Sequence, residues 1–181
     1  MWTLPNILTL LRIILIPVFI IVFYWKFPGH RWTTAIIFLL AAATDWLDGY
    51  LARTLKQDSP FGAFLDPVAD KLIVAAALVM LVSEFAYWWV ALAGIVVISR
   101  EIVISALREW MAEVGKRAAV KVSFIGKAKT TMQMIAVFVL LTQPNAKTGW
   151  VIFGFVLLYV AVILTLWSMC KYLIAAFKVL R

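Results

Sequence analysis

An all-α, polytopic membrane protein with six spanning helices and both termini in the cytoplasm is the fold class this sequence predicts. Three observations predict it: 65% of the 181 residues are hydrophobic, mean hydropathy is +1.01, and apolar runs of spanning length recur with basic residues gathered on alternate connections. Soluble domains hold roughly 45–50% apolar residues, so a water-soluble fold has no means of burying this surplus.

A helix needs about 20 apolar residues to cross a hydrocarbon core about 30 Å thick. Six such runs fall at 4–25, 32–54, 62–83, 87–110, 120–142 and 149–177, and no linker, repeat or low-complexity stretch separates them, so residues 1–181 are expected to form a single domain. The first run is long, begins Thr3-Leu4-Pro5-Asn6, carries Arg12 inside it and lacks a small-residue cleavage site before His30, so it reads as a retained helix rather than a secretory signal. The second and third are joined by Leu55 to Pro60 and the third and fourth by Glu84-Phe85-Ala86; connections this short make consecutive helices antiparallel neighbours. The fourth and fifth are separated by the longest polar break, Glu113 to Ser123, and the fifth and sixth by a turn at Gln143-Pro144-Asn145.

Charge fixes the expected orientation. There are 17 basic and 9 acidic side chains, a balance of +8, which in so apolar a chain favours anionic membrane lipid over nucleic acid as a partner. With the amino terminus inside, the outer connections hold Lys26, Arg31 and Lys147, while Lys56, Lys116, Arg117, Lys121, Lys127, Lys129, Lys171, Lys178 and Arg181 lie inside. Trp2, Trp25, Trp32, Trp88, Trp89 and Trp150 fall near the predicted boundaries and read as interfacial anchors. Cys170, the single cysteine, has no partner for a disulfide or thiolate cage and reads as a packing residue. His30, beside Pro28-Gly29, reads as a surface histidine.

The chemistry sits where the membrane should forbid it. Four of the five aspartates, Asp45, Asp48, Asp66 and Asp70, fall inside predicted spans, although an ionisable residue at mid-membrane costs about 2.5–3.5 kcal/mol. Asp45, Asp48, Gly49, Ala52 and Arg53 follow i, i+3, i+4, i+7, i+8 spacing and line one stripe of the second helix; Gly62, Asp66 and Asp70 form another on the third. Asp45 and Asp48 lie about 9–14 Å from the inner end of their helix and Asp66 and Asp70 about 6–12 Å from theirs, so the two rows can face each other at one depth. Their formal charge of about −4 is offset by two divalent cations, and a pair about 3.5–4 Å apart is a known clamp for phosphoryl displacement. All-oxygen ligation favours Mg²⁺ or Mn²⁺. Gly49 and Gly62 remove bulk where a substrate approaches, though glycines also serve helix packing.

These residues carry a resemblance. Asp45-x-x-Asp48-Gly49-x-x-Ala52-Arg53, eight residues, then Gly62-x-x-x-Asp66-x-x-x-Asp70 resembles the full signature of the CDP-alcohol phosphatidyltransferase family, and the likeness extends over nearly the whole chain. The resemblance implies that all four aspartates hold the metal pair, that Asp70 is also the base for the acceptor hydroxyl, that Asp48, Gly49, Ala52, Arg53 and Gly62 seat the cytidine diphosphate, and that the protein is a homodimer. Pro5-Asn6-x-x-Thr9-x-x-Arg12, a stripe facing inward, resembles the family's first-helix pattern and implies that Asn6 and Thr9 reach nucleotide or acceptor phosphate; Thr3 and Asn6 are alternatively helix-start caps.

The motif defines the donor, CDP-diacylglycerol, and leaves the acceptor open. The fourth helix carries Ser99-Arg100-Glu101, Ser105 and Leu107-Arg108-Glu109, with Arg100 and Arg108 on one face, and Gly126-Lys127-Ala128-Lys129-Thr130 opens the fifth on the same side. Arg100, Arg108, Lys127 and Lys129 together suit the phosphate of a phosphorylated acceptor; alternatively the arginines only pair with neighbouring charges and the lysines only enforce topology. Ser99 to Trp110 also resembles the bacterial branch of the family whose acceptor is sn-glycerol 3-phosphate, giving phosphatidylglycerophosphate and CMP, which implies an inner-membrane location with the site facing the cytoplasm. A family member using inositol phosphate is the near rival. An ion-coupled transporter is the distant one, disfavoured because no inverted repeat or pair of broken helices accompanies the acidic rows. A structural membrane scaffold ranks last, because it would leave four acidic groups without a task.

Overall fold

A computed structural model describes the backbone at residues 4–55, 60–115, 124–143 and 147–180, and side chains at 6–44, 62, 64–115, 129–143 and 147–178. The described residues form six helices and no strand: α1 Leu4–Tyr24, α2 His30–Leu55, α3 Pro60–Phe85, α4 Trp88–Glu113, α5 Phe124–Thr142 and α6 Gly149–Leu180. Five of the six predicted spans match to within about three residues at each end. The fifth begins at Phe124 rather than 120; residues 116–123 of the polar break lie outside the described residues.

The protein is a polytopic membrane protein. Among the described residues α1, α4 and α6 are long and apolar enough to cross a membrane, and α5 contributes the shorter apolar stretch Lys129–Thr142. The 26 residues of α2 and of α3 give each about 39 Å of length, enough for the same crossing. Each carries charge among its apolar residues, Asp45, Asp48 and Arg53 on α2 and Asp66, Asp70, Lys71 and Glu84 on α3.

The third helix is the hub of the bundle: it packs against α1, α2, α4 and α5, while α6 closes the other side against α4 and α5. Phe19, Phe38, Ile73, Leu78, Leu81, Val97, Leu140 and Leu158 are almost wholly buried in one core. A separate cluster, Ile104, Leu107, Met111, Tyr172 and Ala176, joins the C-terminal halves of α4 and α6. Between α5 and α6 the approach is close enough to exclude a side chain, since a Cβ at Gly154 would lie 2.9 Å from Val139 Cγ1 and 3.0 Å from Leu140 Cγ. Where α2 begins and α3 ends, Arg31 forms an ion pair with Glu84, and Tyr159 of α6 donates to the Trp89 carbonyl of α4 at 2.8 Å.

Trp25, Trp32, Trp88 and Trp150 are exposed near helix ends, as expected of anchors; Trp89 is half-buried against Phe155, ring centroids 4.6 Å apart. Cys170 is a correction: it lies on the exposed face of α6 rather than in the packing. The tendency of cysteine to be buried is learnt in water, and toward lipid an apolar thiol loses nothing by facing outward.

Candidate active site

The site is built on the N-terminal half of α3. The i, i+4 step from Asp66 to Asp70 puts both carboxylates on one helix face, half-buried, and Gly62 one turn earlier is buried. From α1, Asn6, Thr9 and Arg12 are buried, so the stripe at i, i+3, i+6 does face the bundle. Thr9 Oγ1 donates a 2.5 Å hydrogen bond to Asp66 Oδ1, which fixes the carboxylate's orientation from a neighbouring helix.

Asp66 and Asp70 form one wall of a cavity of about 380 Å³, and Arg100, Arg108 and Lys129 are on its other walls. Thus five of the predicted site residues share one cavity, and the eight-residue separation of Arg100 and Arg108 does place both on its α4 side. Asp45, Asp48, Gly49, Ala52 and Arg53 belong to α2, which packs against α3, but their side chains, and that of Lys127, lie outside the described residues.

The cavity exists because α4 and α5 do not pack backbone to backbone among the described residues; each leans instead on α3 and α6. Side chains span the gap. Glu101 Oε1 accepts from Arg100 Nη1 at 2.6 Å and from Lys129 Nζ at 3.1 Å, and Arg100 Nη2 donates to Ser168 Oγ of α6 at 3.1 Å. Arg108 places its guanidinium over the Tyr172 ring, 5.6 Å from the centroid. Lys71 donates to Ser105. Lys129 is 1% exposed, so it is an interior cation rather than a topology charge on the surface. Arg100 does pair with its neighbour Glu101, but that same carboxylate is shared with Lys129.

Arginines of the cavity leave donors unmet. Lys71, Arg100, Arg108 and Lys129 face Asp66, Asp70 and Glu101, and Arg108 has no ion pair among the described residues. The buried Nε atoms of Arg100 and Arg108 also lack a hydrogen-bond partner. Unmet donors on buried cations are costly, and an oxyanion is the chemical group that meets them.

Opposite them, Asp66 and Asp70 present only oxygen donors, which fits a hard divalent cation rather than zinc. Among the described residues no three His, Cys, Asp or Glu side chains gather into a metal cluster, so the α3 pair needs further ligands.

Sequence reasoning did not single out Lys71, Gln133, Ser168 or Tyr172, although the structure puts all but Ser168 on the cavity wall. The signals were present. Gln133 follows Lys129 at i+4 in an otherwise apolar stretch, and Thr165, Ser168 and Tyr172 follow i, i+3, i+7 along α6.

Comparison with known proteins agrees with this architecture. The family model described as CDP-alcohol phosphatidyltransferase matches residues 2–167. Proteins of Salmonella typhimurium, Shigella flexneri and Escherichia coli, each named CDP-diacylglycerol–glycerol-3-phosphate 3-phosphatidyltransferase, are each 54% identical to this chain, covering 97% of it and 95% of their own length. The family model runs from before α1 into α6 and the relatives cover 97% of the chain, so the chain belongs to the CDP-alcohol phosphatidyltransferase family.

Proposed function

We propose that this protein transfers the phosphatidyl group of CDP-diacylglycerol to sn-glycerol 3-phosphate, giving phosphatidylglycerophosphate and CMP. The observation that carries the reading is one cavity that brings Asp66 and Asp70 of α3 together with Arg100, Arg108 and Lys129, the arginines with unmet donors. A phosphorylated alcohol fits that cavity with its hydroxyl toward Asp70 and its phosphate toward Arg100, Arg108 and Lys129, with Lys127 beside them. The names of the relatives support glycerol 3-phosphate as that alcohol.

In this mechanism Asp70 accepts the proton of the acceptor hydroxyl. The freed oxygen attacks the phosphatidyl phosphorus, a new P–O bond forms, and the bond to the CMP oxygen breaks with its electron pair leaving on CMP. Asp66, oriented by Thr9, and Asp70 join Asp45 and Asp48 in holding two divalent cations, Mg²⁺ or Mn²⁺. When bound, such cations neutralise the diphosphate and the charge that develops on the leaving group. Asp48, Gly49, Ala52, Arg53 and Gly62 seat the cytidine diphosphate, with Asn6 and Thr9 alongside. No covalent enzyme intermediate is required.

The protein is further proposed to be a homodimer of the bacterial inner membrane, surrounded by anionic lipid, with its site and both termini on the cytoplasmic side. The basic residues assigned to the inner connections support that orientation, and the bacterial relatives support the location.

An acceptor panel tests the reading. Purified protein given CDP-diacylglycerol and Mg²⁺ should release CMP with glycerol 3-phosphate and far less with inositol phosphate, serine or choline. Turnover with inositol phosphate alone overturns the acceptor assignment, and ion flux without CMP release overturns the enzyme.

A further inference from the structure

Three buried polar atoms without a hydrogen-bond partner belong to side chains of this one cavity: Arg100 Nε, Arg108 Nε and Gln133 Oε1. They are not alike. The arginine atoms are donors and a phosphate satisfies them, whereas the amide oxygen needs a donor, which a phosphate dianion lacks. From this contrast we infer that Gln133 is the residue that reads the non-reacting hydroxyl of the acceptor, a second hydrogen-bonding subsite between the base and the phosphate-binding cations. The inference rests on the acceptor reading given above.

Position supports it. Gln133 is 3% exposed, in a stretch where an apolar side chain of equal size would pack as well, so the amide is unexplained by packing alone. It lies one turn beyond Lys129 on the same face of α5. Asp70 is about 15 Å along α3 from Pro60, and Gln133 is about 14 Å along α5 from Phe124. Helices that begin on the same side therefore bring base and amide to one depth. A three-carbon acceptor with its terminal hydroxyl at Asp70 and its phosphate at the arginines carries its middle hydroxyl between these ends. A hydroxyl donates as well as accepts, so it supplies the hydrogen bond that the amide oxygen lacks and a phosphate dianion cannot give. None of the neighbouring cations donates to the Gln133 amide oxygen, which is left without a partner among the described residues.

The test compares glycerol 3-phosphate with 3-hydroxypropyl phosphate, the same chain without its middle hydroxyl, in wild type and in Gln133→Met and Gln133→Asn. Wild type should prefer glycerol 3-phosphate in kcat/KM by roughly tenfold or more. In Gln133→Met the preference should fall to about one, through loss on glycerol 3-phosphate, while turnover of 3-hydroxypropyl phosphate stays within about twofold and so reports a folded enzyme. Gln133→Asn, with the amide kept but withdrawn, should fall between. A preference unchanged in both variants, or absent in wild type, overturns the assignment of Gln133. A wild type that turns over neither diol phosphate while using another acceptor overturns the acceptor reading itself.

Discussion

Lys129 of α5 donates to Glu101 of α4 at 3.1 Å, across a gap that the backbones of these two helices do not close. Because Glu101 also accepts from Arg100 at 2.6 Å, one carboxylate holds two interior cations and keeps the cavity open between them. The pairing is structural in the sense that it joins helices, and chemical in that it sets two of the positive charges an incoming phosphate would meet.

Glu101→Gln should therefore uncouple stability from anion affinity. Removing the shared charge leaves two buried cations facing each other and lowers stability by about 1–3 kcal/mol, seen as a fall in Tm in detergent. The same change makes the cavity more positive, so inorganic phosphate should inhibit the variant at lower concentration than wild type. Unchanged Tm together with unchanged inhibition would show that the carboxylate holds nothing.

Thr9→Val removes the hydrogen bond that orients Asp66 without changing the volume of the side chain. If Asp66 is a metal ligand, the Mg²⁺ concentration for half-maximal activity should rise by about 10–100-fold. Thr9→Ser, which keeps the hydroxyl, should remain near wild type. Activity titrations against Mg²⁺ check both.

Asp70→Asn keeps an oxygen for a metal but cannot accept the acceptor's proton. Turnover should drop by about 10²–10⁴-fold while CMP still binds, measurable by calorimetry beside the rate assay. Wild-type rates in this variant would remove Asp70 from the role of base.

Gly154→Val places atoms where Val139 and Leu140 already stand. Overpacking of this kind costs about 1–3 kcal/mol and should separate α5 from α6, lowering Tm with loss of activity only as the protein unfolds. An unaltered melting curve would mean that the α5–α6 seam is looser than its geometry.

The six helices were legible because a membrane leaves the backbone few alternatives: every apolar run of spanning length must satisfy its own hydrogen bonds. The carboxylates were legible for the same reason, since Asp66 and Asp70 in an apolar helix are conspicuous by their cost. That Arg100 and Arg108 share a face followed from their eight-residue spacing, and the inward turn of Asn6, Thr9 and Arg12 from theirs. What could not be read is how faces from different helices combine. Gln133 is a single polar residue on α5, and nothing local tells that it meets Asp70 of α3 and Arg108 of α4 around one cavity. Lys71 follows Asp70 directly, and adjacency along a helix turns neighbours to different faces, so its place on the same wall depends on the packing of α3 against α4. The exposed Cys170 was misread because burial preferences formed in water lose their meaning against lipid.

The most direct test is simultaneous measurement of CMP and phospholipid product from CDP-diacylglycerol in micelles of the purified protein, with and without glycerol 3-phosphate. The account predicts that CMP and phosphatidylglycerophosphate appear one for one, and only when the acceptor is present. CMP formed without a new phospholipid, or no CMP at all in the complete mixture with Mg²⁺, would contradict it.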